Sequence, residues 1–345
     1  MFFPTIRLMI VLFFLLVLIS QPNISDAFDY NFEGRLRSGA QYYFEAPRRY
    51  SDYDREAELR AGVLGNAWKK DDWKVDYEVT GAIRHSGGPS TQAGLDKDFD
   101  ADFFRAWFRL DNDKFKFRGG RQRILFGAGA LYRPLGFFDT RNISGVVPQS
   151  IGVDGVLSSW HFDESSFIEG WAVPAKKDDK VIVGFRGERL IAGWETGVAF
   201  QYHPATDQIG LPNYNLDLTQ LGYHVKGEYV AGFWNESRLD IEQNGSEKPI
   251  RFDTVIGADY TFPVGAGLHA LAEYFVSTRD RTFTWVDRTN QRTIHQLGFS
   301  LDQPVGIEVV WRVFGFYDIR DGSFQLAPQI EYALTNRTFV YFYGR

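Results

Sequence analysis

The sequence predicts an all-β fold, a closed antiparallel transmembrane β-barrel that follows a secretory signal peptide. Three observations support this prediction. Apolar and polar residues alternate along segments of about 10 to 13 residues. Aromatic residues make up 17% of a chain whose mean hydropathy is only −0.28. Beyond residue 27, no apolar run reaches the roughly 18 residues of a membrane-spanning helix.

The first 27 residues have the layout of a signal peptide. Arg7 precedes an apolar run from Leu8 to Ile19, and Ser25 and Ala27 are small residues at the positions that a signal peptidase reads. The run has about 12 residues, whereas a helix needs about 20 to span a bilayer. We therefore expect residues 1–27 to be removed and residues 28–345 to form the barrel.

Composition excludes several classes of function. The chain has no cysteine, which rules out a c-type haem, an iron–sulfur cluster and thiol catalysis. The formal net charge of −6 argues against a broad nucleic-acid-binding face. A soluble globule rarely combines this polarity with so many aromatic residues, but a transmembrane strand keeps one face polar. We expect no cofactor and no nucleic-acid partner.

The first strand, predicted at 30–44, shows the alternation most clearly. Its even positions are apolar or small, and its odd positions include Arg35 and Arg37. Aromatic pairs at both ends bracket about 12 residues, which is roughly 30 Å of membrane at the usual strand tilt. The same alternation recurs at 73–84, 225–234, 251–262 and 324–334.

Strand number and orientation follow from this pattern. At about 20 residues per strand and connection, the chain has room for about 16 strands, within a range of 14–18 and with an even number expected. We expect Leu36, Tyr77, Ile256 and Leu326 to face lipid, and the first and last strands to pair. A soluble β-sandwich also alternates, but its strands usually have about 5–6 residues.

The connections are of two kinds. Turn-forming residues predict tight turns at 111–113, 244–245 and 320–322, and polar stretches predict long connections at 86–98, 203–215 and 278–293. The longest connection, near 124–153, begins where Gly119 and Gly120 are expected to break a strand. Its apolar residues, including Leu131, Leu135 and Phe137, favour a loop folded inward to narrow the lumen; an ordinary external loop is the alternative.

This stretch resembles a known group of proteins. Gly120-Arg121-Gln122, followed by Phe126-Gly127, Pro134 and Asp139, is similar to a "GRQ…WG…P…D" pattern of Gram-negative outer-membrane barrels of the alginate-export and porin-like families. The stretches at 257–262 and 273–274 resemble their later strands. Phe126 stands where the family often has Trp, and the final Tyr343-Gly344-Arg345 departs from the aromatic end that the barrel-assembly machinery reads. The resemblance implies passage of a solute across the outer membrane.

Charged residues on the polar face predict the chemistry of the lumen. Rings of arginine or lysine favour anions, whereas Arg–Glu pairs between neighbouring strands would only stabilise the wall. Both interpretations remain open, with Arg105 and Arg109 as the expected exceptions to pairing. We expect a constriction, with Asp139 pairing one of its guanidinium groups, and a pore lining beyond it. The constriction residues are Arg105, Trp107, Arg109, Arg121 and Asp139, and the pore-lining residues are Arg35, Arg37, Lys74 and Arg84.

The sequence thus predicts a porin-like outer-membrane channel for passive passage of small hydrophilic or anionic solutes. A polysaccharide-export barrel and an outer-membrane hydrolase barrel are the alternatives. None of the six histidines stands in a recognisable nucleophile–histidine–acid pattern, and no metal-ligand spacing is present. We therefore expect neither an enzyme nor a metal site, and we expect outer-membrane lipid and the assembly machinery as partners.

Overall fold

The computed structural model describes residues 29–42, 53–87, 99–139, 150, 152–175, 180–204, 217–243, 250–278, 293–335 and 337–344. These residues form 17 strands of one sheet. Consecutive strands pair in antiparallel register from β1 to β5 and from β7 to β17. Among them there is no helix long and apolar enough to cross a membrane. The predicted signal peptide, 1–27, lies outside the described residues.

The strands have the following bounds: β1 Asp29–Tyr42, β2 Tyr53–Lys70, β3 Trp73–Gly87, β4 Phe99–Asp111, β5 Phe115–Gln122, β6 Val153–Asp163, β7 Ser166–Pro174, β8 Val181–Ile191, β9 Trp194–His203, β10 Leu218–Glu228, β11 Gly232–Glu242, β12 Ile250–Phe262, β13 Leu268–Ser277, β14 Ile294–Val305, β15 Val309–Asp318, β16 Phe324–Thr335 and β17 Thr338–Tyr343.

The chain divides into two compact units. The first comprises residues 1–123 with 152–158, and the second comprises residues 124–151 with 159–345. Strands β1 to β5 therefore belong to the first unit, and β7 to β17 to the second. The second unit also contains residues 124–139, which we call the β5–β6 segment.

Several strands, such as β12 and β16, have an exposed apolar face and a more buried polar face. Leu36, Ile256 and Leu326 are exposed, with Leu36 at 74%, whereas Asp253 on the opposite face of β12 is buried. Tyr77 is half-buried. Apolar side chains outside and charged side chains inside reverse the arrangement of a soluble protein and are typical of strands in lipid. The strands predicted at 30–44, 73–84, 251–262 and 324–334 are present as β1, β3, β12 and β16, and exposed and buried residues alternate clearly in β12 and β16.

The connections alternate in length. Those that follow even-numbered strands have two to five residues, and those that follow odd-numbered strands have five to 30. Because hairpins in a meander turn at alternate ends, the short connections within each unit share one end. The turn predicted at 320–322 is present but belongs to the end with the long connections. The turn predicted at 244–245 lies outside the described residues.

Three predictions about the strands were wrong. Residues 225–234 are a hairpin, because β10 ends at Glu228 and β11 begins at Gly232, and the turn contains the exposed Tyr229 and Val230. Apolar residues in this turn continue the alternation, so the sequence pattern does not show where the strand ends. Strand β5 runs through Gly119 and Gly120 instead of breaking there. The described strands number 17, an odd count, because two-residue connections leave room for the short final strand β17.

Candidate pore-lining sites

Glu58 is the centre of a salt-bridge row on the polar face of the first unit. Its carboxylate lies 2.7 Å from Arg60 Nη2, 2.9 Å from Arg84 Nε and 4.0 Å from Arg37 Nη2. Strand register produces this row, since Glu58 lies opposite Arg37 on β1 and opposite Arg84 on β3. Arg37 and Arg84 therefore each pair with Glu58 on the neighbouring strand. Arg35, opposite Arg60, is exposed.

Arg109 also belongs to a paired group. Its Nε donates to Asp76 Oδ2 at 3.0 Å and lies 3.4 Å from Asp111 Oδ2. Lys74 Nζ lies 3.6 Å from Asp111. Arg109 and Asp76 face each other in the β3–β4 register. The expectation that Arg109 is an exception to pairing is therefore wrong, because its strand neighbour supplies a carboxylate.

Arg105 has a different environment, which is rich in arginine. Its guanidinium lies 4.0 Å from the centre of the Phe104 ring, and that of Arg60 lies 3.5 Å from the same ring. Its Nη1 donates to the Phe104 carbonyl oxygen at 2.7 Å. Its charged neighbours include Glu78, Arg123, Arg60 and Arg121. We call Arg60, Arg105, Arg121 and Arg123 the arginine group.

Trp107 follows Arg105 by two residues on the same face, as predicted. Its indole nitrogen donates to Glu78 Oε2 at 2.8 Å, and Thr80 Oγ1 donates to Glu78 Oε1 at 3.2 Å. The guanidinium of Arg118 lies 4.7 Å from the Trp107 ring centre. This wall thus combines aromatic rings with guanidinium groups, an arrangement that cation–π attraction stabilises.

The unusual backbone conformation of Gly120 positions Arg121. Gly120 has φ of 113°, and a Cβ there would lie 2.2 Å from the Ala106 carbonyl oxygen, so this site requires glycine. Arg121 pairs with Asp102 and, at 3.1 Å, with Asp154. In place of the expected strand break, the structure thus has one unusual backbone conformation, at Gly120, within a continuous strand.

Asp139, the fifth predicted constriction residue, lies in the second unit. Its carboxylate accepts a hydrogen bond from Ser150 Oγ at 2.7 Å and lies 3.7 Å from Arg133 Nη1. Both partners belong to the same long connection as Asp139, so these contacts stabilise the connection internally. Its pairing with a guanidinium group of the first unit stays a prediction.

The β5–β6 segment lies on the polar face of the second unit, where Glu273 binds it. The backbone amides of Ala130, Leu131 and Tyr132 donate to the Glu273 carboxylate at 2.7, 2.9 and 2.8 Å. The Trp234 indole nitrogen donates to the same group at 2.8 Å. Three successive amides aimed at one carboxylate form an anion-binding concavity that this side chain fills.

Glu236 binds the segment on either side of that contact. Its carboxylate accepts the amide of Gly129 at 2.7 Å and also the amide of Leu135. Gly127 has φ of 103°, and a Cβ there would lie 2.5 Å from Glu236 Oε2. Glu236 and Glu273 are 0% and 1% exposed. Buried carboxylates are costly unless they are hydrogen-bonded, and here backbone donors meet that requirement.

Glycines on two strands make room for the segment. A Cβ on Gly222 of β10 would lie 2.0 Å from Leu135 Cδ2, and one on Gly298 of β14 would lie 2.7 Å from Tyr132 Cε2. Tyr132 also stacks on Phe275, with ring centres 4.8 Å apart. The segment therefore occupies prepared positions on the sheet.

Apolar residues of the segment are buried, as the inward interpretation requires. Leu131 joins a core on β11, β13, β15 and β16 formed by Trp234, Leu271, Phe314 and Ala327. Phe126, Phe137 and Phe138 surround Trp171 of β7 at centroid distances of 5.0, 6.4 and 6.4 Å. Val146 and Val147, to which the same argument applied, lie outside the described residues.

A buried chain of hydrogen bonds extends this face. The Trp171 indole nitrogen donates to Gln201, Gln201 donates to Gln220, and Gln220 donates to Asp240, at 2.8, 2.8 and 3.0 Å. Sequence reasoning missed these residues and both segment-binding glutamates. Alternation can indicate which face of a strand such a residue occupies, but nothing in the pattern separates it from an ordinary water-facing side chain.

Comparisons with solved structures place the fold among outer-membrane β-barrels. A loop-deletion mutant of OmpT, an outer membrane protein of Vibrio cholerae, is 13% identical with a TM-score of 0.56, covering 92% of this chain and 100% of that one. OmpF of Salmonella typhi, in complex with daunomycin, is 10% identical with a TM-score of 0.54, covering 86% and 92%. A mutant of the Rh. blastica porin is 12% identical with a TM-score of 0.52, covering 92% and 100%.

These likenesses confirm the predicted resemblance to porin-like outer-membrane barrels at the level of the fold. No protein-family model matches the chain, and no curated protein matches it in sequence.

Proposed function

We propose that the chain is a porin-like channel of the Gram-negative outer membrane, through which small hydrophilic solutes pass passively. In this proposal residues 1–27 direct export, the sheet closes on itself, and the protein is not an enzyme. In a meander of 17 antiparallel strands, β1 and β17 run in the same direction, so closure through them requires a parallel pair. Closure satisfies backbone groups that lipid cannot.

The observation that carries the proposal is the position of the β5–β6 segment. It packs on the polar face of the sheet, bound by Glu236 and Glu273 through backbone amides. A segment held on the face that lines the lumen narrows the passage and sets the size of solute that it admits. The fixed backbone contacts make this a permanent constriction.

The arginine group supports a weak preference for anions. Four guanidinium groups lie close enough to act on one another around Arg105, although Arg60 also pairs with Glu58, and Arg121 with Asp102 and Asp154. Positive charge on the wall of a narrow, partly dry passage attracts anions more strongly than it would in bulk water. Arg37, Arg84 and Arg109, which lie outside this group, contribute less, because each of them pairs with a carboxylate.

Single-channel recording tests the proposal. The purified protein in a planar lipid bilayer should give stepwise ion currents, with a modest anion preference in a salt gradient. The double variant Glu236→Gln/Glu273→Gln, which weakens the attachment of the segment, should give larger and noisier steps. A protein that stays silent in the bilayer after its native fold has been verified would overturn the channel.

The recording also separates the two alternatives. Currents that a soluble anionic polysaccharide blocks at low concentration, while small sugars do not, would indicate a polymer-export barrel. Cleavage of lipid or peptide by a silent protein would indicate a hydrolase.

A further inference from the structure

Three potential metal ligands meet on the polar face of the second unit. Glu188 of β8, Glu195 of β9 and His224 of β10 each place one ligand atom so that all three atoms lie within 4.8 Å of one another. Neither the proposed channel nor the segment contacts use these residues.

Strand register brings the three side chains together over a glycine. Gly197 of β9 lies opposite Glu188 on one side and His224 on the other. Residues on strands two apart are separated by about 10 Å, and a side chain on the middle strand normally fills the space between them. A Cβ on Gly197 would lie 2.2 Å from His224 Cε1. The absence of that side chain allows the imidazole to lie across β9 toward Glu188.

One nitrogen of His224 faces both carboxylates. Its Nε2 lies 3.5 Å from Glu188 Oε2 and 3.4 Å from Glu195 Oε1. This atom is buried and has no hydrogen-bond partner, and His224 as a whole is only 3% exposed. A buried polar atom aimed at two acceptors without a hydrogen bond needs a further partner. Ligand atoms about 3.4 Å apart are what tetrahedral coordination with bonds of about 2.1 Å produces.

A second histidine shows the contrast. His269 also lies between two carboxylates, but its Nε2 contacts Asp259 at 3.2 Å and its Nδ1 contacts Asp302 at 3.1 Å. Each nitrogen has its own partner, so this is a completed hydrogen-bonded triad. At His224, by contrast, both carboxylates converge on a single nitrogen.

We propose that Glu188, Glu195 and His224 bind a divalent transition-metal ion of the zinc class. Two carboxylates balance the charge of the dication, and an imidazole with carboxylates suits zinc better than calcium or magnesium, which prefer oxygen ligands alone. Glu195 has a side chain that is 48% exposed, so the ion has a route of entry and an open coordination position toward water.

The neighbouring charges are compatible with this ion. Arg186 Nη1 lies 3.4 Å from Glu188 Oε2, but its Nε makes the shorter contact, 2.9 Å, with Glu169. Arg186 therefore orients Glu188 from the outer side while Glu169 holds it. Lys226 lies opposite Glu195 in the β9–β10 register, beyond the three ligands.

Calorimetric titration with Zn²⁺ tests the site on the full folded protein in detergent micelles free of chelators. We expect one saturable site per chain. Glu188→Gln and His224→Gln should each weaken binding by at least about tenfold. The matched control His269→Gln removes an equally acid-flanked histidine from the same face and should leave zinc affinity unchanged.

Glu195→Gln covers the case in which a buried variant fails to fold, because its exposed side chain is not needed for packing. It should also weaken binding at least about tenfold. X-ray absorption of the zinc-loaded protein should show nitrogen and oxygen ligands near 2.0–2.1 Å that include one imidazole. Absence of saturable binding would overturn the site. So would zinc affinity that Glu195→Gln leaves unchanged, or a loss of affinity in His269→Gln as large as that in His224→Gln.

Discussion

The wall formed by β2 to β5 and the wall formed by β10 to β14 both contain arginine–carboxylate pairs, but they differ in what their other carboxylates bind. In the first wall, carboxylates such as Glu58 and Asp76 pair with arginines on neighbouring strands. In the second, Glu236 and Glu273 bind backbone amides of the β5–β6 segment. The same alternating strand thus yields either a self-paired surface or a binding surface, depending on what faces it.

Two glutamates make this comparison direct. Glu78 and Glu273 each accept a tryptophan indole N–H at 2.8 Å. Glu78 also accepts the hydroxyl of Thr80, a residue of its own strand, whereas Glu273 also accepts three amides of the segment. The tryptophan–glutamate hydrogen bond is the same in both walls. The walls differ in which further donors the glutamate carboxylate binds.

The largest effect is expected from Glu273→Gln. The amide group of glutamine turns a donor toward backbone donors, which leaves buried amides unsatisfied at about 1–3 kcal/mol each. We expect a loss of about 3 kcal/mol or more in the free energy of unfolding, measured by denaturant titration in detergent, with an increase in single-channel conductance.

Glu78→Gln is the matched control in the other wall. It keeps the tryptophan contact but faces no segment amide, so we expect a loss of about 1 kcal/mol and an unchanged conductance. Equal losses of unfolding free energy in the two variants would mean that the hydrogen bonds from the segment to Glu273 do not stabilise the protein.

A smaller effect is expected from Gly222→Ala. The new methyl group would overlap Leu135, which is 1% exposed and has no free space, so the segment must shift. Overpacking of this kind costs about 1–3 kcal/mol. Gly81→Ala is the control, since a Cβ there meets nothing within 4 Å. We expect its free energy of unfolding to change by less than about 0.5 kcal/mol. If Gly81→Ala lowered the free energy of unfolding as much as Gly222→Ala, this would contradict the conclusion that Gly222 makes room for Leu135.

Much of the fold was predictable because successive side chains of a strand point to opposite faces, so faces with different surroundings give the sequence a period of two. The alternation located β1, β3, β12 and β16. The apolar residues of the β5–β6 segment, which favoured an inward loop, are buried, and the narrowing of a lumen by this loop stays a prediction. The method failed at the β10–β11 hairpin, where exposed Tyr229 and Val230 replace the polar residues that usually mark a turn. At such a turn the sequence pattern is the same as that of a strand.

The sites were less predictable because they depend on register between strands. Arg109 and Asp76 are 33 residues apart, and Glu188 and His224 are brought together only by their shared neighbour Gly197. Alternation tells which face a residue occupies but not what lies beside it on the next strand. The arginine pairs and the cluster of metal ligands could therefore be identified only from the three-dimensional structure.

The smallest effect is expected on ion selectivity, where Arg105 and Arg109 differ. Arg105→Gln removes charge from the arginine group and should reduce the anion-to-cation permeability ratio by about twofold, measured as a reversal potential in a salt gradient. The paired removal Arg109→Gln/Asp76→Asn deletes a neutral ion pair from the same strand face and should leave the reversal potential unchanged. Arg109→Gln alone should shift the potential toward cations, because it leaves Asp76 and Asp111 with less positive charge nearby. Unchanged selectivity in Arg105→Gln would show that the arginine group does not act on the permeating ions and that its role is to brace the wall through Phe104.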